Sequence, residues 1–268
     1  MFDIGSDESG QGDTLLVSIQ IGSSGNLKRL NRHWRRCLED AGVTFFHSRG
    51  YRNMTGGVFA GLSRSQRKML LRKLARLTHK YMDIGITAKI NETFYRASTT
   101  QPFRSRLGSA YSFAAQMALL AAHVYVEYVG RKIEGINILV AGGHRNARQV
   151  FEQINDLIQH NEILTVKFCR IGLIKDWPIL QSADMLAYGE NQMLTNSQDL
   201  EIYHALHVHD RKYQPEMFDC NAELIRAAIG GVEELLTARK AFGMRRSRVQ
   251  TLAEYATARP EERGVRSN

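Results

Sequence analysis

Apolar and polar positions along this chain change period several times, and each change marks an element. Phe2 to Glu8 and Thr14 to Ile21 are short runs with β-branched members on either side of Ser9-Gly-Gln-Gly12, the pattern of a two-stranded hairpin with a glycine turn. Asn26 to Ala41 reads as a helix rich in Lys and Arg, Val43 to Phe46 as a short extended piece, and His47 to Leu62 as a glycine-containing loop. Met69, Leu70, Leu74 and Leu77 recur at helical spacing behind Ser63, an N-cap residue, so a helix is predicted over Ser63 to Lys80. Tyr81 to Ile90 reads as a third strand. Leu107 to Val129 reads as a long, alanine-rich helix apolar on most faces and therefore buried.

Ile136 to Val140 is a short, almost wholly apolar strand, followed by a Gly142-Gly143-His144 loop and a helix over Asn146 to His160. A strand over Ile163 to Ile171 and a loop over Gly172 to Trp177 lead to a helix opened by Pro178, a residue suited to a first helical turn because it has no N–H to leave unpaired. A last helix is expected from Asn221 to Phe242. A hairpin followed by strands alternating with helices predicts an α/β fold, a mixed central sheet flanked by helices.

Composition narrows the class. The 268 residues, 43% of them hydrophobic, are enough to fill one core, and four prolines without long Ser, Gly or Gln tracts exclude disorder over most of the length. One domain over 1–242, carrying an inserted basic helical region at about 47–80, and a basic, flexible tail over 243–268 are expected. Apolar stretches such as Ala114 to Val126 are broken by Gln116 and His123 and fall short of a membrane span, and the N-terminus lacks a secretory pattern. A cytoplasmic protein with reduced Cys37, Cys169 and Cys220 is the expectation.

The charge balance points to a polyanion: 36 Lys and Arg against 27 Asp and Glu leave +9. Seven cations and no acid lie between Ser63 and Lys80 (Arg64, Arg67, Lys68, Arg72, Lys73, Arg76 and Lys80), a density suited to phosphates and rarely needed for solubility. Arg32, Arg35 and Arg36 are candidates to extend that surface, and Lys175, just ahead of the Pro178 helix, to meet a phosphate. Nucleic acid is the expected partner. DNA against RNA, a protein partner and self-association stay open.

Two acids stand out chemically. Asp184 sits in the apolar helix Pro178-Ile-Leu-Gln-Ser-Ala-Asp-Met-Leu-Ala-Tyr188, where an ionised carboxylate needs a compensating cation or donor. Asp7 ends the first strand, where its side chain can project to a metal at the sheet's edge. Hard carboxylate oxygens suit Mg²⁺ or Mn²⁺, and two such ions about 4 Å apart activate a water and stabilise a leaving oxygen in phosphodiester hydrolysis. The structural alternatives are an Asx-type turn at Asp7 and a hydrogen bond from Asp184 to backbone or to Tyr188. Glu8 points to the opposite face if the strand is regular there and ranks second as a ligand. Gln181, one turn before Asp184, is a candidate donor to a carboxylate or phosphate. His204, His207 and His209 form H-x-x-H-x-H, a weak transition-metal pattern with no cysteine nearby.

Five ordered segments, namely Asp7-Glu-Ser-Gly10, Phe46-His47, Phe59-x-Gly61-Leu-Ser63, Gly143-His144-x-Asn146 and Pro178-x-Leu180-Gln181-x-Ala183-Asp184-x-x-Ala187-Tyr188, resemble the domain-of-unknown-function 3800 family. That is a ribonuclease H-like group, and the predicted layers fit it. The resemblance implies a metal-dependent nuclease with acids on the first strand, a later central strand and a terminal helix converging at one end of the sheet. It also places His47 and His144 in matching motifs, as proton carriers or phosphate contacts. The chain departs from the pattern in one respect: no Asp or Glu occurs from Gly135 through Phe151, so Ala141 occupies the place of the third acid, with Gly142 next. A degenerate nuclease that still binds nucleic acid, an acid replaced by alanine, and a substitute acid such as Glu127 or Asp13 are the competing explanations.

Overall fold

The computed structural model describes residues 1–53, 57–101, 103–104, 108–128, 135–143, 146–159, 166–197, 199–207 and 213–230. His144, His209 and the basic stretch from Arg239 onward lie outside them, as does the side chain of Glu127.

The first hairpin is longer than its apolar runs. Strands β1 (Phe2–Gln11) and β2 (Thr14–Ser23) pair antiparallel along their whole length, and Gly12 turns the corner at a φ of 60°. Three helices then precede the next strand: α1 (Ser24–Asp40), α2 (Ser48–Arg52) and α3 (Arg64–Tyr81). The start of α3 is fixed by a capping box: the Ser63 hydroxyl accepts from the Gln66 N–H, and the Gln66 side chain accepts from the Ser63 N–H. The helix runs through Tyr81, so β3 (Ile84–Asn91) begins three residues later than the apolar run suggests. Helices α4 (Glu92–Ser98) and α5 (Ala110–Tyr128), strand β4 (Ile136–Ala141), helix α6 (Ala147–Gln159) and strand β5 (Val166–Gly172) follow. The chain continues through α7 (Pro178–Leu194), α8 (Glu201–His207), β6 (Glu216–Asp219) and α9 (Ala222–Gly230). Of the expected last helix, only the part to Gly230 falls within the described residues.

The result is an α/β fold with a six-stranded mixed sheet in the order β5-β4-β1-β2-β3-β6. β2 runs antiparallel to β1 and β3, β4 and β5 lie parallel to β1, and β6 lies parallel to β3. Alternation along the strands feeds two cores. Phe2 and Ile4, with Val17, Ile19 and Ile21 of β2, pack on one face against α5 and α6. The other face is covered by α1, α3, α7 and α8, around Trp34, Leu71, Ile179 and Leu180. Several of its strand positions, Gly5, Ser18, Gln20, Gly85 and Thr87, are small or polar, whereas β4 contributes Leu139. Gly5 and Gly85 meet α7 so closely that a Cβ would lie 2.8 Å from Ile179 Cγ1 and 2.6 Å from Leu186 Cδ2, respectively.

Beside them, buried Ser18 and Thr87 bond each other at 2.7 Å, while Gln20 Nε2 donates to Tyr213 at 2.7 Å. These pairings satisfy polar groups that would otherwise be costly at this depth. α7 therefore rests on the sheet through glycines rather than through a thick apolar layer, and its acid is brought near the strand ends. Among the described residues no helix is long and apolar enough to cross a membrane. All three cysteines are free.

Candidate carboxylate cleft

The register of the central strands sets the site. Gly5 faces Ile179 of α7, and alternation puts Asp7 on that same face, at the end of β1. In the parallel β1–β4 pair the last partners are Ser6 and Val140, so Ala141 stands one step further, alongside Asp7. Ala141 is 2% exposed and packs in the same core as Ile179. From above, α7 brings Asp184. Asp7, Ala141 and Asp184 line one cleft of about 1020 Å³, with Asp7 7% and Asp184 6% exposed.

Asp184 is held by the chain segment leading into α2. Its Oδ2 accepts the Ser48 N–H at 2.6 Å, and its Oδ1 lies 3.9 Å from His47 Nε2. One turn earlier, Gln181 Oε1 accepts from Trp34 Nε1 and from the Phe46 N–H, both at 2.8 Å, while its Nε2 donates to Ile174 O at 3.1 Å. Two α7 side chains thus hold the N–H groups of Phe46 and Ser48. Val43 to Phe46 carries no strand: the Val43 N–H is taken by Leu38 O and the Phe46 N–H by Gln181 instead of a sheet neighbour. Gln181 is consumed in this clamp, so it does not serve as a donor to substrate. Asp184 makes the backbone bond foreseen as its structural alternative. Tyr188 does not hold Asp184; its hydroxyl accepts from Arg52 at 3.3 Å.

The acids repel one another. Burial, then the charges of Asp184 and Glu8, hold Asp7 well above the usual carboxylate range. Burial also raises Asp184, opposed by His47 and the Ser48 N–H. Glu8 differs from the expectation in an informative way. β1 is regular through Gln11, so Glu8 leaves the strand on the α5 face, where its carboxyl meets the Tyr111 hydroxyl. It nevertheless interacts with Asp7 and lines the cleft, where β4 has ended at Ala141 and β1 continues without a neighbour on that side. Burial pushes its pKa up to about 7, and its Oε2 is buried without a hydrogen-bond partner.

Among the described residues, no three His, Cys, Asp or Glu side chains are grouped as a ligand set for a metal ion. Alongside Asp7 on β4 the cleft is lined by the methyl group of Ala141 rather than by a carboxylate. Asp13 also lines the cleft, but its carboxylate is exposed at the hairpin tip and accepts from Thr93 Oγ1 at 2.9 Å. His207 is bonded to Glu190 at 2.9 Å and stacked on Tyr203, whereas His204 faces a different groove, so those two imidazoles do not converge.

Neither a protein-family model nor a curated protein matches the chain. The cations of the cleft are Arg49, Arg52 and Lys175, all exposed on its rim. Of these, only Lys175 stood out in the sequence; Arg49 and Arg52 sat in a segment expected to be loop, with no period to distinguish them.

The α3 cations do not reach this cleft. Arg67 is buried, donating through Nε to Leu62 O at 3.1 Å and through Nη2 to Phe59 O at 2.8 Å, so it is a structural residue. Arg64, Lys68 and Arg72 line a separate groove, and Lys73 is exposed beside Cys37.

Proposed function

We propose that this protein is a ribonuclease H-like phosphodiesterase scaffold of the domain-of-unknown-function 3800 type, acting on nucleic acid with Mg²⁺ or Mn²⁺. One observation carries the reading: two buried carboxylates, Asp7 from the first strand and Asp184 from the helix packed over it, meet in a cleft rimmed by arginine and lysine. The position of β4 beside β1, with Ala141 alongside Asp7, supports the assignment of the third acid's place.

The residues fit a divalent ion. Their oxygens are hard donors, the mutual repulsion of the carboxylates is what a cation relieves, and Glu8 Oε2 is buried without a donor. Asp7 and Asp184 would hold it, and the Ser48 N–H would orient the Asp184 carboxylate, as hydrogen bonds commonly do behind ligands. Held there, such an ion would supply Lewis-acid chemistry, lowering the pKa of a water and offsetting charge on the departing oxygen. Arg49, Arg52 and Lys175 bind the phosphodiester's anionic oxygens. His47, half-exposed beside Asp184, carries a proton to or from the reacting oxygens as the P–O bond to the leaving group breaks.

A second reading has its own support: with alanine at 141 the fold is kept as a non-catalytic nucleic-acid-binding or assembly subunit. Incubation of single-stranded, duplex and hybrid substrates with Mg²⁺ or Mn²⁺ separates the two. The nuclease reading expects weak cleavage by the native chain, enhanced by Ala141→Glu and abolished by Asp7→Ala. Salt-sensitive binding without cleavage by either version leaves the binding-subunit reading.

A further inference from the structure

We infer that the groove between α3 and α8 is a second nucleic-acid site, gripping the backbone of a single strand away from the carboxylate cleft. Arg64, Lys68, Arg72 and Arg76 line it, each four residues from the next, so successive cations rise by about 6 Å and the row spans about 18 Å along α3. The groove has a volume of about 590 Å³ and an apolar floor that includes Leu71.

Arg64, Arg72 and Arg76 are exposed and have no acid partner among the described residues, whereas Lys68 pairs with Glu201 at 3.3 Å. Like charges at four-residue spacing destabilise a helix, and although Asp199 and Glu201 also line the groove, Lys68 alone of the row is paired with either, so the rest is a local cost that an external anion relieves. Arg67 makes the contrast: it sits on the same helix, is buried, and is committed to backbone carbonyls.

Strand phosphates are the anions this row fits, since they too recur at regular intervals. Helices packed side by side leave a groove narrower than a duplex, which selects one strand. His204, exposed at the rim, offers a ring for a base to stack on. No residue lines both this groove and the cleft. The groove is tied to the cleft's wall through Glu201, which takes Lys68 on one oxygen and the Tyr51 hydroxyl of α2, at 2.8 Å, on the other.

The inference rests on the proposed function only for the identity of the polyanion, and its test separates the two. Fluorescence anisotropy of a labelled single-stranded oligonucleotide and its duplex, in EDTA over a salt series, is compared for the native chain and the R64Q/R72Q/R76Q variant. The variant is expected to bind the single strand at least tenfold more weakly at about 0.1 M salt, with a log–log salt slope smaller by about 2. R64K/R72K/R76K should retain most of the affinity. A thermal melt of the glutamine variant no lower than that of the native chain shows that folding is intact.

Unchanged affinity and slope in the glutamine variant overturn the inference. A native preference for duplex that falls in the same variant overturns its single-strand element. Hydrolysis of bis(p-nitrophenyl) phosphate with Mn²⁺ reads the cleft alone. Its absence in every variant, with the binding loss intact, defeats the nuclease reading and leaves the groove standing.

Discussion

At the scale of single residues, the cleft is a group of acids held close at an electrostatic cost. Glu8 shows the consequence. Its pKa lies near 7 in the fold, against 4.5 as the ordinary value, so between those pH values the folded state holds more protons than the unfolded chain. Stability conferred by the protonated form is therefore complete below about 4.5 and lost as pH rises through about 7. Asp7 and Asp184 are shifted in the same direction, and Tyr111 faces Glu8 from α5. Without divalent ions, thermal melts from pH 5 to pH 8 should show a falling midpoint, and Glu8→Gln should flatten that fall by a few degrees. An identical slope in the variant would contradict the placement of Glu8. Gln181 has the opposite character: it repels nothing and satisfies Trp34 Nε1, the Phe46 N–H and the carbonyls of Ile174 and Lys175. Gln181→Leu strands the Trp34 and Phe46 donors, a loss of about 1–3 kcal/mol per stranded donor that chemical denaturation would register.

At the scale of elements, the decisive fact is how low α7 sits on the sheet. Gly5 and Gly85 permit it, and Asp184 reaches the strand ends as a result. Gly5→Ala should force α7 outward, costing about 1–3 kcal/mol and weakening any divalent-ion binding with it. Retained stability and retained ion affinity together would argue against the tight seat. The same elements show what a sequence discloses. The hairpin, the Ser63 cap and the Pro178 helix start were legible because their signals are local: turn glycines, a cap three residues from its partner, a proline at the first turn. Helices α4 and α8 and strand β6 are seven, seven and four residues long, too short for a period to declare itself. Helix α2 was hidden for another reason: its entry is fixed by Gln181 and Asp184, more than a hundred positions away.

At the scale of the whole molecule, the positive charge of the described residues is divided rather than pooled. Arg49, Arg52 and Lys175 ring the acids, whereas the α3 row forms a groove of its own. The sequence displayed the α3 cations as one cluster, because linear density cannot distinguish a buried Arg67 from an exposed Arg72. Asp7 and Asp184 stood out in the sequence by their own chemistry, as acids at a strand end and in an apolar helix, and Ala141 only through the resemblance; their convergence needed β4 to lie beside β1. Replacing both Arg49 and Arg52 with glutamine should weaken oligonucleotide binding in the cleft and lower the salt slope by about 1.4 for a single strand, as read by a salt series with the α3 row neutralised.

In the proposed function Asp7 and Asp184 together hold a divalent ion. Isothermal titration of Mn²⁺ into the native chain, Asp7→Asn, Asp184→Asn and Ala141→Asp tests it most directly. Native binding should be weak, lost in either asparagine variant, and strengthened at least tenfold when an acid is restored at 141. Mn²⁺ affinity indifferent to all three substitutions would contradict the account.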